Sequence, residues 1–148
     1  IRMKRVLFAA VIGFAGTIAV ARDTVVHVTL DEVLALPEAE GKIDGTVRFY
    51  LAGQATPVLL KKFGSDVSNK KTNGVGKDDQ FGCKYVVLSA LIAFQQKAKQ
   101  QGANAVVDIV SYYKKNEVRD ARSIECHAGN IMIGAALKGS YARIPDPD

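Results

Sequence analysis

The chain has 148 residues, of which 48% are hydrophobic and 24% charged. That balance excludes a disordered chain, and the length excludes a large multi-domain machine. The formal charge of +5 sets twenty basic residues against fifteen acidic ones, with Arg2, Lys4 and Arg5 at the very start. The remainder lacks the focused basic excess of a nucleic-acid binder, so no nucleic-acid partner is expected.

Residues 1–21 read as an export signal. Arg2, Lys4 and Arg5 precede the apolar run Val6–Val20, and Ala19-Val20-Ala21 supplies the small-residue exit that signal peptidase accepts. The alternative is a retained anchor, but the apolar run is about 15 residues where a bilayer needs roughly 20. No cysteine stands near position 22 to carry a lipid. The predicted product is one α+β domain, residues 22–148, periplasmic or secreted and free of a membrane anchor.

That product holds Cys83 and Cys126 and no other cysteine. In an oxidising compartment an even pair predicts a disulfide. A loop of this length would stabilise the fold by about 4 kcal/mol in the chain-entropy account. Two chemical alternatives stand beside it. Cys83 and Cys126 form a thiol-redox pair, or they ligate a metal with His127, with His27 as a fourth donor. The spacing matches no known zinc pattern.

The chain then divides by pattern. Alternation through Val26, Val28 and Leu30 predicts a strand, and Asp31–Leu36 a brief helix stopped by Pro37. Thr46–Leu51 reads as a strand, Ala52–Ala55 as a hairpin turn and Val58–Lys62 as its return. Gly64–Asp79 is polar and glycine-bearing, and reads as a long loop. Asp78 or Asp79 caps the next helix. Phe81, Tyr85, Leu88 and Ile92, with Val87, Leu91, Phe94 and Ala98, make two adjacent stripes on one long helix ending at Gly102. Ala105–Tyr113 is a strand in which Asp108 needs a polar partner or an exposed position. A charged turn covers Lys114–Arg122. The last strand, Ile131–Tyr141, turns Ile131, Ile133, Ala135, Leu137 and Tyr141 toward the helix; Gly134 and Ala136 leave its other face flat. The implied fold is a curved, mostly antiparallel sheet with one long helix across it.

Chemical motifs are sparse. Thr72–Asp78 carries glycines before Lys77, but Lys71 stands where a phosphate loop needs its first glycine and Asp78 where it needs Ser or Thr. No nucleotide, cofactor or catalytic residue is expected. Lys61, Lys62, Lys70, Lys71, Lys77 and Lys84 offer a surface for an acidic envelope component such as lipopolysaccharide. Solvated loop lysines are the alternative reading.

Gly102-Ala103-Asn104-Ala105-Val106-Val107 after a long helix, with a final Ile133-Gly134-Ala135-Ala136-Leu137 strand, resembles the domain of the outer-membrane stress-sensing lipoprotein of the Rcs phosphorelay (RcsF) and of YbjQ-type small bacterial proteins. Cys126 before that strand and Gly64-Ser65-Asp66-Val67-Ser68 before the helix add to the likeness. Val67–Gly74 and Asn104–Asn116 are similar to a small exported proteobacterial family whose members often carry the label "excinuclease ATPase subunit". The missing phosphate loop leaves that label without support here. The resemblance implies a non-enzymatic, disulfide-bonded domain acting through protein contacts, in envelope homeostasis or stress sensing. Its expected partner is an envelope protein, and a homo-oligomer is an alternative. This chain lacks the sensor's lipid-anchor cysteine and has cysteines for one bridge rather than two, so anchoring and signalling partners do not carry over.

Overall fold

A computed structural model describes residues 9–13, 16 and 22–147. The basic head and the Ala-Val-Ala exit of the expected signal lie outside the described residues. From Thr24 the chain runs through β1 (Thr24–Val28), α1 (Leu30–Leu34), β2 (Arg48–Leu51), β3 (Lys61–Asn73), α2 (Asp79–Gln101), β4 (Ala105–Ser111), β5 (Ile124–Ala128) and β6 (Met132–Arg143). Short 3₁₀ turns occupy Pro37–Ala39 and Tyr113–Lys115.

All six strands join one sheet, and β6 organises it. Along one edge β6 pairs antiparallel with the length of β3, from Asn73 opposite Met132 to Lys61 opposite Arg143. Its other edge is shared. The N-terminal half pairs with β5 and the C-terminal half with β4, both antiparallel. β1 extends the β5 side antiparallel, and β2 extends the β4 side parallel. The expected α+β fold is therefore present: a curled, mostly antiparallel sheet with α2 across it.

The helix starts and stops where its chemistry dictates. The Asp78 carboxylate accepts from the Phe81 N–H, and Gly102 ends the helix at φ 77°, a left-handed conformation that glycine adopts without a Cβ clash. Cys83, Val86, Val87, Ala90, Leu91, Phe94 and Ala98 form the buried face. They pack on Ile133, Ala135, Leu137 and Tyr141 of β6, with Val26 and Val28 of β1. Phe81, at the outer margin of the predicted stripe, is exposed instead. No helix among the described residues is long and apolar enough to cross a membrane.

Four local expectations need correction. The hairpin at Ala52–Ala55 does not form. β2 pairs with β4, and Val58 and Leu60 are exposed coil rather than a return strand. Gly64–Asp79 is not a loop, because β3 occupies most of it. Its polar residues mislead because they are satisfied locally: Ser68 is buried against α2 and its hydroxyl donates to the Ala90 carbonyl. Leu30 opens α1 rather than closing β1, because Thr29 caps that helix in a reciprocal box with Glu32. Finally, Ile131 lies in the exposed turn before β6, outside the buried row it was expected to join.

Asp108 solves its own problem by breaking the strand. It sits at φ 54° where the β4–β6 register shifts, and the bulge turns its carboxylate outward to Arg119, 2.6 Å away. At the other end, buried Asn104 acts as a surrogate strand residue. Its amide donates to the Ile144 carbonyl at 2.9 Å and accepts from the Ile144 N–H at 2.8 Å. Replacing it orphans two buried backbone groups. Asn104→Ala is expected to cost about 2–3 kcal/mol in urea unfolding; a loss under about 0.5 kcal/mol would show that water replaces the amide.

Candidate functional site

The two cysteines meet. Cys83 Sγ and Cys126 Sγ are bonded, with Cα atoms 5.7 Å apart, and both residues are fully buried. Cys83 lies in the first turns of α2, as expected. Cys126 is not in a flexible approach to the last strand but in the middle of β5. The segment Ile124-Glu125-Cys126-His127-Ala128 alternates apolar and polar, and that period-two signal identifies the strand the sequence reading missed. The bridge joins the start of the helix to a sheet strand beneath it.

Strand parity also decides the metal alternative. Cys126 points into the core, so His127, next on the same strand, points to the opposite face. His27 pairs opposite Glu125 and Val25 opposite His127, which puts both histidines on the face away from the cysteines. Cys83, Cys126 and His127 thus do not converge, and the sulfurs are already bonded to each other. The same burial keeps the disulfide from a second thiol, whose thiolate must reach a sulfur to exchange.

On the helix-free face, His127 has its own surroundings. Its ring stacks on Tyr113, with centroids 3.8 Å apart and planes 12° from parallel. Its Nδ1 lies 2.8 Å from Asp23 Oδ1. Tyr113 has room because Gly134 lies below it: a Cβ there would sit 3.4 Å from the ring and 3.5 Å from Lys71 Cγ. The flat stretch expected at Gly134 does admit a close neighbour, and that neighbour is this tyrosine. Arg22, Asp23, Tyr113, Lys114, His127 and Met132 surround an open cavity of about 400 Å³. Beside it Ile131 and Met132 are 66% and 47% exposed.

Arg22 secures the cavity's wall. Its guanidinium holds Asp79 through two nitrogens, at 2.6 and 3.2 Å, and donates to the Gly129 carbonyl and Asn130 Oδ1. Those bonds favour both charges, raising the Arg22 pKa and lowering that of Asp79. The residue expected to begin the mature chain therefore clips α2 to the β5–β6 turn. The sequence offers His127 only as a metal or thiol partner of Cys83 and Cys126, not as the stacking partner of Tyr113. Arg22, Asp23 and Tyr113 escaped sequence reading, because only the fold brings residues this distant in sequence together.

The six lysines do not form one patch on a loop. Lys61 and Lys62 open β3, Lys70 and Lys71 lie near its far end, Lys77 is in the following turn and Lys84 is on α2. A strand rises about 3.3 Å per residue, so the two pairs are roughly 25–30 Å apart. Between them Asp66 accepts from Lys97 Nζ at 2.9 Å, from the buried Tyr141 hydroxyl at 2.8 Å and from the Val67 N–H at 2.9 Å. Partial burial pushes the Asp66 carboxyl up, but these donors outweigh it and hold the group below its ordinary value. Burial, then the hydrogen bond to Asp66, pushes the Tyr141 phenol up. The glycine-bearing segment Thr72–Asp78 ends in a carboxylate that already takes the Phe81 N–H, an amide at the helix start that a bound phosphate would need.

No protein-family model matches the chain, and no curated protein matches it.

Two outcomes are expected. Cys83→Ser and Cys126→Ser each destabilise by about 2–4 kcal/mol, and the double variant loses little more than either single one, as one shared bond requires. Urea melts without reductant measure this, and additive losses would overturn it. Asp66→Asn is less stable than the parent at pH 7. Because the folded carboxyl sits below its unfolded value near 3.9, its contribution is complete above that pH and is lost as pH falls through the folded value. The gap between the two proteins therefore closes on acidification below about pH 4, and a gap constant from pH 7 to pH 2 would contradict the assignment.

Proposed function

We propose that this is an exported domain that works by contact with another envelope component, in envelope homeostasis or stress sensing, and not by catalysis. The carrying observation is the buried Cys83–Cys126 disulfide. A bond of this kind persists in oxidising compartments and is rare in the cytosol of mesophiles. It also has a mechanical effect, since it fixes β5 to α2 and so holds the helix-free face in one shape. Exposed Ile131 and Met132 beside the Tyr113–His127 stack give that face an apolar and aromatic centre, the composition favoured in recognition surfaces.

The resemblance to the Rcs sensor domain supports the same reading, because it too implies a disulfide-bonded domain that reports through protein contact. Processing before Arg22 fits the clamp that Arg22 makes, since a chain starting there keeps its side-chain bonds to Asp79, Gly129 and Asn130.

A photo-crosslinking amino acid placed at Met132, on the helix-free face, is expected to give a discrete adduct in the envelope fraction of living cells. The same residue at Gln96, on the outer face of α2, is expected to give none. The uncrosslinked protein should have the intact mass of a chain beginning at Arg22. Equal adducts from both positions, or a chain retaining residues 3–21, would overturn contact and processing respectively.

A further inference from the structure

β3 is thirteen residues long and pairs along one edge only; among the described residues no strand covers the other. Such an edge presents alternate N–H and C=O groups as a template for another strand, and proteins that leave it bare guard it with lysines, bulges or side-chain caps. β3 has all three. Its register shifts between Lys62 and Ser65, and the Val67 N–H is held by the Asp66 carboxylate next door. Its lysines come in pairs at the two ends.

The placement of those pairs is informative. Lys70 lies opposite Ala135 and Lys71 opposite Gly134, so one reaches the helix side of the sheet and the other the open side. The extra residue at the bulge shifts parity, which puts Lys61 with Phe63 on the helix side and Lys62 on the open side. Each end of the edge therefore carries one ammonium on each face. The only acid on the strand, Asp66, is already bonded to Lys97 and Tyr141. From Val67 to Asn73 the strand pairs with β6 without a register break. Val67 is 42% exposed at its centre.

We infer that the free edge of β3 receives an extended acidic peptide segment of the contact partner, added as a further strand with its carboxylates between the lysine pairs. The proposal rests on the contact reading above and names the partner's chemistry. Main-chain hydrogen bonds supply affinity in this mode, and charge supplies selection. A second copy of this chain is the poorer occupant. Antiparallel self-pairing about Val67 joins two strands that each carry four lysines and one aspartate.

The probe is a blocked nine-residue peptide of alternating glutamate and valine, with a lysine–valine peptide as control. Amide exchange and chemical shifts of the purified, oxidised protein supply the readout. The acidic peptide is expected to saturate, to slow exchange at Asn69 and Lys71 by about tenfold or more, and to bind several-fold more weakly at about 0.5 M salt. Lys70→Glu with Lys71→Glu should weaken it about tenfold or more by reversing the local charge. Asn69→Pro should abolish it by removing an edge N–H. If Asn69→Pro fails to fold, the charge-reversal variant still decides. Equal binding of the lysine peptide, protection confined to other strands, or a protein that instead dimerises through β3 each overturns the proposal. A Met132 adduct in cells without peptide binding at β3 removes this inference and leaves the contact reading standing.

Discussion

Everything in this molecule hangs on β6. It is the one strand hydrogen-bonded to three others, and its inward residues Ile133, Ala135, Leu137 and Tyr141 are the floor on which α2 rests. A strand in that position has to be apolar on one side and small on the other. β6 meets both demands, with Gly134 under Tyr113, Ala136 on the same face, and Gly139 fitted against Val106 and Ile109 in the core. The disulfide acts one strand away. It anchors β5 to the helix, and β5 in turn carries β1, so one covalent bond ties two of the six strands to α2.

The architecture was legible where burial imposes a period. α2 shows its Val87, Leu91, Phe94 and Ala98 stripe, its acidic cap and its terminal glycine where the sequence puts them, whereas Phe81, Tyr85 and Ile92 lie at the margin of the buried face. β6 shows the alternation of a strand buried on one side. β3 was illegible for a physical reason: an edge strand packed only at its margin against a helix has little apolar surface to bury, so Ser68, Lys70 and Thr72 face the helix where valines would face a core. β5 was legible and was missed, because a five-residue alternation beside a charged turn is a weak signal over so short a window. The β2–β4 pairing could not be inferred locally, since a parallel neighbour lies far along the chain.

The site divides the same way. Two cysteines and an expected export signal are enough to expect a bridge, because the chemistry has few alternatives. Local sequence contains nothing that places Asp23 beside His127 or Arg22 beside Asp79. Those contacts exist because β1 lies against β5 and so brings the start of the domain to the turn before β6. The lysines show the converse. Their number was plain, but their arrangement as two pairs straddling an edge depends on one bulged residue that shifts parity between them.

The pairing of β1 with β5 also sets an order of assembly. Thr24 meets Ala128 across most of the chain, and synthesis delivers the N-terminal partner first. Until the far end arrives, Val26 and Val28 have no sheet to enter and the Arg22 clamp has no Gly129 or Asn130 to grip. Long-range pairings of this kind are slow to close and leave apolar strands open to other chains in the interval. β1 thus waits until its partner nearly at the far end of the chain is made, and Val26 and Val28 stay uncovered for that interval.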